Sequence, residues 1–123
     1  MAAKVLSSEL AAWADANPGW DADDRCLARA YPFASYADGV AFAMAVALHA
    51  ERIDHHPELV VAWGRVRVVW STHDAGGVSP LDLAAALVTD GLAARYGVAL
   101  SAGSLGRPAT APAGHAPPEG RSA

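Results

Sequence analysis

The segment ELVVAWGRVRVVWST, residues 58–72, restricts the possible folds more than any other part of this sequence. Over residues 65–70 two arginines alternate with valines and a tryptophan, which is the period-two pattern of a half-buried strand. Another run rich in β-branched residues precedes it, and Trp63-Gly64 separates the two runs. We therefore predict an antiparallel hairpin with a turn near Gly64 and with the arginines on its exposed face.

Helices are predicted before and after this hairpin. Apolar residues at helical spacing predict a first helix over about residues 7–16, which ends at an Asn-Pro-Gly stop signal. Ser35 precedes an Ala-rich run that predicts a second, longer helix. The third helix is the best defined, because Ser79 is a cap residue, Pro80 stands at the first helical position and the helix closes near Gly97.

A further hairpin is predicted between the first two helices. Two short extended runs, near Trp20 and over about residues 25–33, flank an acidic turn. Helices that flank two hairpins indicate the α+β class. We expect a mainly antiparallel four-stranded sheet with the helices packed on one face, in the order α-β-β-α-β-β-α.

Length and composition suit a single folded domain followed by a tail. The chain has 123 residues and 53% apolar composition, which is enough to bury one core. From Ser101 onward four prolines and four glycines accompany almost no large apolar side chain, so this part cannot offset the entropy cost of ordering. We predict a domain over residues 1–100 and a flexible tail over residues 101–123.

Charge and cysteine content limit the functional classes. The net charge is −4 and the nine Lys and Arg residues form no basic stripe, which argues against direct binding of nucleic acid. The single Cys26 excludes an internal disulfide and fits a reducing compartment. No continuous apolar segment at the N-terminus signals secretion or membrane insertion. We expect a cytoplasmic protein that does not bind membranes.

The second helix carries apolar residues on more than one face. Val40, Met44 and Leu48 mark one face, whereas Phe42 and Val46 mark another. The sheet of the same chain can cover only one of these faces, so another surface must cover the second. We therefore predict a homo-oligomer, either a homodimer or a homotetramer, in which open sheet edges could also pair across a two-fold axis.

Three histidines are predicted to lie together. His55 and His56 follow the second helix, and Pro57 biases His56 toward an extended backbone. His73 follows the hairpin of residues 58–72, which leads the chain away from this point and back to it. The three imidazoles should therefore share one site, although adjacent side chains on an extended backbone point to opposite sides.

Three interpretations of this cluster are open. Imidazoles titrate near neutral pH, at a pKa of about 6.5, so several of them can supply an acid and a base for a hydration or dehydration without any cofactor. A three-histidine metal site of the zinc type is the second interpretation, although neither a CxxC nor an HExxH spacing is present. The third has two surface histidines and one buried, hydrogen-bonded histidine.

Seven residues occur at a distinctive spacing in this region: Glu51-x3-His55-His56-Pro57-x5-Trp63-x9-His73-x8-Asp82. The spacing resembles, position by position, the signature of the pterin-4a-carbinolamine dehydratase family, whose vertebrate member is also the dimerisation cofactor of a homeodomain transcription factor. The resemblance extends over about residues 6–97, because the segments around the motif are similar to the central helix, loop, strand and last helix of that family. The predicted tail is additional to the compact domain of the family.

The resemblance implies a specific reaction. Members of the family remove water from a 4a-hydroxytetrahydropterin such as 4a-hydroxytetrahydrobiopterin, which the aromatic amino acid hydroxylases produce, and yield quinonoid dihydropterin. The hydroxyl at the ring-junction carbon must be protonated while the pterin ring loses a proton, which is acid–base chemistry without a cofactor or a metal. The implied partners are the pterin substrate and, as a client, an aromatic amino acid hydroxylase.

The resemblance also implies roles within the site. His55 and His73 are the acid–base candidates, and His56 chiefly holds the substrate. Polar residues occupy the positions that line the pterin site in the family. These residues are Asp54, Ser71, Thr72 and Asp74.

Two carboxylates of the motif have alternative roles. Asp82 is assigned to the catalytic residues together with the three histidines. It either orients a histidine or completes a capping box with Ser79. Glu51 either faces the substrate or lies solvated at a helix end. Trp63 is expected to pack at the turn rather than to stack on the pterin.

The alternative function is a non-catalytic oligomeric binding or assembly partner of the same fold, which the presence of all three histidines disfavours.

Overall fold

The computed structural model describes residues 3–100, which form a four-stranded antiparallel sheet and three helices. The elements, in chain order, are α1 (Ser7–Ala16), β1 (Asp21–Ala22), β2 (Leu27–Pro32), α2 (Tyr36–Ile53), β3 (Glu58–Ala62), β4 (Arg65–Trp70), a 3₁₀ turn (His73–Ala75) and α3 (Pro80–Arg95). The strand order is β1-β2-β4-β3. The predicted α+β class and order of elements are confirmed. The predicted tail lies outside the described residues.

The β3–β4 hairpin has the alternation that its sequence predicts. On β4 Val66, Val68 and Trp70 are fully buried beneath the helices, whereas Arg65 and Arg67 are exposed on the other face. Gly64, with a φ of 77°, makes the turn, which requires a left-handed backbone. The hairpin therefore leads the chain from the end of α2 across the sheet and back.

The first hairpin is shorter than its sequence predicts. β1 contains two residues, and β2 begins at Leu27 rather than near residue 25. The Asp23 carboxylate accepts hydrogen bonds from the backbone N–H groups of Arg25 and Cys26, at 2.8 and 3.0 Å, so these residues form a turn instead of extending the strand. The same two hydrogen bonds lower the pKa of Asp23.

A partly buried carboxylate connects α3 to the first hairpin. Asp90 accepts hydrogen bonds from Trp20 Nε1 at 3.2 Å, from Arg29 Nη1 at 3.1 Å and from the Tyr31 hydroxyl at 2.6 Å. Burial raises the pKa of Tyr31, and the nearby charge of Asp90 raises it further. This cluster fixes the helix that also carries Asp82.

Helix α2 is covered on one face and open on the other. Phe42 and Val46 are fully buried, whereas Val40, Met44 and Leu48 are 42%, 58% and 58% exposed. Both apolar faces predicted from the sequence are therefore present, and a single chain covers one of them. Within residues 3–100, none of the helices has the length and apolar character needed to cross a membrane.

Candidate active site

Asp54 ends α2 and turns the chain toward the sheet. Its φ of 53° lies in the left-handed region, which is uncommon for a residue other than glycine. The N–H of His55 then bonds the Ala50 carbonyl at 3.1 Å, and β3 begins at Glu58. The short loop between α2 and β3 therefore carries both adjacent histidines.

His55 is held by the buried carboxylate of Asp82. His55 Nε2 lies 2.6 Å from Asp82 Oδ1, and the two side chains are 12% and 0% exposed. Oδ2 of Asp82 accepts hydrogen bonds from the Ser79 N–H at 2.9 Å and from the Thr72 hydroxyl at 2.7 Å. Because both oxygens of this buried carboxylate are satisfied, Asp82 can hold the imidazole in one orientation.

The hydrogen bonds around Asp82 have a defined direction. Thr72 donates its hydroxyl hydrogen to Asp82, so its oxygen can accept from the Ser79 hydroxyl, 2.6 Å away. Ser79 Oγ in turn accepts from the Leu81 N–H at 3.3 Å. An ionised carboxylate only accepts hydrogen bonds, so Nε2 of His55 is a donor in this arrangement and Nδ1 is the nitrogen that Asp82 leaves available.

An indole ring supports His55 from the side of the core. The rings of His55 and Trp70 are stacked, with centroids 5.4 Å apart and planes inclined by 23°. Trp70 is fully buried, and its Nε1–H donates to Thr89 Oγ1 on α3 at 3.0 Å. The imidazole is therefore in contact with a carboxylate at its edge and with an aromatic ring at its face.

His56 makes a different contact from its neighbour. His56 Nε2 lies 2.7 Å from Glu51 Oε2, and the two side chains are 54% and 73% exposed. The pair joins the last turn of α2 to the loop that follows it. An ion pair in water contributes little stability, so this contact chiefly orients the His56 ring.

His73 lies in a short loop that is anchored at its base. The backbone groups of Thr72 and Gly77 bond each other, at 2.9 and 3.3 Å, and the Val78 N–H bonds the Asp24 carbonyl at 3.1 Å. Gly77 is packed so closely that a Cβ atom there would lie 2.1 Å from the same carbonyl oxygen. The loop therefore has a fixed position, and His73 is exposed on it.

The three histidines line one open pocket of about 460 Å³. The hairpin predicts this arrangement, because it returns the chain to the end of α2. The volume is in the range of small-molecule sites, roughly 300–1,000 Å³. The residues that line the pocket are Asp54, His55, His56, Ser71, Thr72, His73, Asp74 and Leu81.

Glu51 and Asp82 are the predicted site residues that do not line the pocket. Each contacts a histidine instead, since Glu51 bonds His56 and Asp82 bonds His55. Both alternatives for Asp82 are present at once, because one oxygen contacts the imidazole and the other completes the capping box with Ser79. The two carboxylates thus contact histidines of the pocket without lining the pocket themselves.

The sequence pattern identifies Trp70 as a buried strand residue and Ser79 as a helix cap, but not as neighbours of the His55–Asp82 pair. One signal was available for Trp70, because residues two apart on an extended chain share a face and Thr72 is one of the predicted site residues. Leu81 also lines the pocket, and its sequence context gives no such signal. Trp63 lies at the β3–β4 turn and does not line the pocket.

The carboxylate contacts separate the adjacent histidines. His55 bonds a buried aspartate and His56 bonds an exposed glutamate, so the two rings have different partners. No group of three or more His, Cys, Asp or Glu residues between positions 3 and 100 is arranged to hold a metal ion. The separate pairing of the rings suits the acid–base interpretation of the cluster.

Fold and site together define a small α+β domain whose pocket is lined by histidines and other polar groups. The family model described as pterin 4 alpha carbinolamine dehydratase matches residues 3–92. The chain belongs to this family, and the resemblance carried by its sequence motif is confirmed.

Curated relatives carry the name of the family provisionally. A protein of Rhizorhabdus wittichii that carries the name pterin-4-alpha-carbinolamine dehydratase in this provisional way is 44% identical over 81 residues. These residues cover 64% of this chain and 84% of the relative. Another in Bordetella avium is 39% identical over 99 residues, which cover 79% of this chain and 92% of the relative. The similarity therefore extends over most of each relative.

Solved structures with this fold have been described with different functions. A transcriptional coactivator/pterin dehydratase from Brucella melitensis superimposes with a TM-score of 0.68 at 33% identity, over 73% of this chain and 98% of that chain. A pterin dehydratase-like protein, identified as a RuBisCO assembly factor in the alpha-carboxysome, gives a TM-score of 0.50 at 25% identity, over 60% of this chain and 86% of that chain.

Proposed function

We propose that this chain is a 4a-hydroxytetrahydrobiopterin (pterin-4a-carbinolamine) dehydratase that works by acid–base catalysis of its histidines. The main support is that His55, held by the buried Asp82, lines the same pocket as His73. Membership of the family agrees with this reaction. The proposed setting is the cytoplasm, where an aromatic amino acid hydroxylase would supply the substrate and the quinonoid dihydropterin product would be reduced again.

The proposed reaction needs one group that gives a proton and another that takes one. The 4a-hydroxyl leaves as water once it is protonated, while a ring nitrogen supplies the electron pair for the new double bond and the ring loses a proton. We assign these transfers to His55 and His73. His55 can use Nδ1, because Asp82 engages Nε2. Within residues 3–100 no hydrogen bond engages the His73 ring, so both of its nitrogens can meet the substrate.

The other polar residues of the pocket are assigned to substrate binding. A pterin ring has an amide-like edge that needs donors and acceptors, and polar side chains around the pocket could supply them. Thr72 differs from the rest, because its hydroxyl is already hydrogen-bonded to Asp82 and Ser79. It is therefore assigned to holding Asp82 in place rather than to binding the substrate. The residues assigned to binding are Asp54, His56, Ser71 and Asp74, with Glu51 orienting His56.

The chain is also proposed to form a homodimer or homotetramer through the open face of α2. Val40, Met44 and Leu48 follow one another at successive turns and are all exposed, and residues 39–48 contain no charged side chain. Contiguous exposed apolar surface of this kind marks protein–protein contacts. A second copy that packs the same stripe against it would remove both from water.

A non-catalytic assembly partner is the second candidate function. One relative of this fold is described as a RuBisCO assembly factor, and the α2 stripe could serve a different protein as well as a second copy. The site favours the enzyme, because a scaffold does not require an imidazole held by a buried carboxylate beside an open pocket.

A stopped-flow absorbance assay of carbinolamine decay tests the proposal. The wild-type protein should accelerate decay, and His73→Ala should slow the catalysed rate by at least about tenfold, as the loss of a general acid or base does. His49→Ala is the matched control, because His49 lies on α2 and does not line the pocket. His55→Ala should also slow the reaction, but it leaves the Asp82 carboxylate without its ring partner.

Two outcomes would contradict the dehydratase. Wild-type protein without any effect on decay would favour the assembly partner. Equal rates for His73→Ala and His49→Ala would remove His73 from the chemistry.

A further inference from the structure

Two residues of helix α3 connect to the His55 ring, one directly and one through Trp70. Asp82 and Thr89 are about two helical turns apart and so occupy the same face of α3, where both are buried, at 0% and 1% exposure. Asp82 contacts the imidazole directly, whereas Thr89 contacts Trp70, whose indole is stacked on that ring. Two polar residues on one buried face of a helix thus connect to a single imidazole.

The contact between Trp70 and Thr89 has a fixed direction. Thr89 donates its hydroxyl hydrogen to the Ala85 carbonyl at 2.7 Å, which leaves its oxygen to accept the Trp70 Nε1–H at 3.0 Å. An indole N–H only donates, and a buried one needs an acceptor. The hydrogen bond therefore favours one rotamer of the buried indole and fixes the plane of the surface on which His55 rests.

We propose that Trp70 and Thr89 are positioning residues for His55. Asp82 determines where the Nε2 edge lies, but one hydrogen bond leaves the imidazole free to swing about that contact, and the indole face restricts this motion. Neither Trp70 nor Thr89 lines the pocket, so both act through His55. This inference rests on the proposed function, because the placement of His55 affects turnover only if His55 transfers a proton.

Core packing alone does not require tryptophan at this position. Val66 and Val68 fill the same buried face of β4 without a polar group, and an aliphatic residue at position 70 could do so too. An aliphatic side chain offers neither a flat surface for stacking nor an N–H for Thr89. The pairing of a buried indole with a buried hydroxyl therefore serves a purpose beyond burial.

The kinetic test compares Thr89→Val with Thr89→Ser. Valine has nearly the shape of threonine but cannot accept the indole N–H, so we expect kcat to fall about three- to tenfold while KM stays within about twofold. Serine keeps the acceptor and should retain the wild-type kcat. A change confined to kcat is expected because Thr89 does not line the pocket.

Nitrogen NMR of the histidine side chains provides a measurement that needs no turnover. Where the His55 ring of the wild-type protein is neutral, its proton should lie on Nε2, and in Thr89→Val the signals of that form should broaden or move toward tautomer averaging. Val66→Ala is the control, since it creates a cavity on the same strand, away from the stacked pair, and should leave the His55 signals unchanged.

Each outcome separates the two proposals. Wild-type-like kcat and His55 signals in Thr89→Val overturn the positioning role, as does tautomer averaging already present in the wild type. An equal change of the His55 signals in Val66→Ala also overturns the positioning role, because the effect would then come from a general loosening of the core. If the wild type shows no turnover, the proposed function fails, while the NMR signals still report whether Trp70 and Thr89 hold the ring.

Discussion

Asp82 joins the His55 ring to the start of α3 through its two oxygens. Oδ1 lies 2.6 Å from His55 Nε2, and Oδ2 accepts the Ser79 N–H that closes the capping box. A helix cap and a site histidine therefore depend on the same side chain. Any change that loosens the first turn of α3 should also move the proposed acid–base group.

Replacing Asp82 by Asn separates these two roles. The amide oxygen can still accept the Ser79 N–H, so the free energy of unfolding should fall by no more than about 1–2 kcal/mol. The amide NH₂ would face His55 Nε2 as a donor and would require the opposite tautomer of the ring. We expect carbinolamine turnover to fall by at least about tenfold while the protein remains folded by thermal melting.

Asp82→Ala is the comparison for this change, because it removes the cap and the imidazole contact together. It should lose both activity and stability, with a clearly lower melting temperature than Asp82→Asn. Full turnover in Asp82→Asn would mean that the carboxylate serves the helix alone.

Features that follow from neighbouring residues could be predicted from the sequence. The period-two pattern over residues 65–70 gave the hairpin, and Ser79 with Pro80 gave the start of α3, because each depends on backbone preferences of a few adjacent positions. The grouping of the histidines followed from the return of a hairpin to its origin. The short β1 was not foreseen, since the Asp23 turn competes with the strand for the same backbone groups.

Contacts between distant elements could not be predicted in the same way. The spacing of Ser79 and Asp82 fits a capping box and a histidine partner equally well. Only the packing of α3 on the sheet places one Asp82 oxygen against the imidazole and the other against the Ser79 N–H. The stacking of Trp70 on His55 depends on two rotamers and on Thr89, which lies far away in sequence. Such contacts are properties of packing rather than of pattern.

Thr72→Val tests whether Thr72 supports the site or binds the substrate. The Thr72 hydroxyl is buried between Asp82 Oδ2 and Ser79 Oγ, at 2.7 and 2.6 Å. Valine would leave the buried Ser79 hydroxyl without this partner, so we expect a loss of about 1–2 kcal/mol in urea unfolding. Turnover should fall through kcat, whereas a lost substrate contact would raise KM.

The matched control is Thr72→Ser, which keeps the hydroxyl and should restore most of the stability and of kcat. If Thr72→Val raised KM several-fold with an unchanged kcat, the hydroxyl would be a substrate ligand, as the family resemblance implies.

Gly77→Ala should displace the loop that carries His73. A methyl group at this position would lie 2.1 Å from the Asp24 carbonyl oxygen, and backbone must shift to accommodate it. We expect a loss of about 1–3 kcal/mol of stability and a fall in turnover, because overpacking moves the loop against its anchor. Thermal melting and the carbinolamine assay measure the two effects.

Gly91→Ala is the contrasting substitution. Gly91 lies within α3, and apart from its chain neighbours and the backbone of its own helix a Cβ atom there would meet nothing within 4 Å among residues 3–100. Alanine should stabilise the helix by roughly 0.5–1 kcal/mol and leave turnover unchanged. Similar behaviour of the two variants would show that Gly77 is not a close-contact position.

Met44→Glu tests the proposed oligomer. Met44 is 58% exposed in the middle of the α2 stripe, so a charge there costs the single chain little but opposes burial between copies. We expect sedimentation velocity to show a smaller particle for Met44→Glu than for wild type, with the same far-ultraviolet circular dichroism. Asp38→Glu, a charge-conserving change near the start of the helix, should keep the wild-type particle. Identical sedimentation of Met44→Glu and wild type would place the contact elsewhere.

The Tyr31–Asp90 contact predicts how stability changes at alkaline pH. Burial, followed by the charge of Asp90, raises the pKa of Tyr31 in the folded state, whereas a phenol in the unfolded chain has a pKa of about 10. Below about pH 10 both states keep the proton, so the stabilising effect is fully present. Above it the unfolded chain releases a proton that the folded chain keeps, so the free energy of unfolding should decrease as pH rises.

Urea unfolding at several values between about pH 9 and 11.5 measures this decrease in wild type, Tyr31→Phe and Tyr36→Phe. One such group adds up to about 1.4 kcal/mol per pH unit to the slope, so Tyr31→Phe should show a shallower decline, although it starts less stable because the Asp90 hydrogen bond is lost. Tyr36 is 52% exposed, and Tyr36→Phe should therefore keep the wild-type slope. An equally steep decline in Tyr31→Phe would show that other groups account for the alkaline loss, and that the Asp90 cluster does not hold the Tyr31 proton.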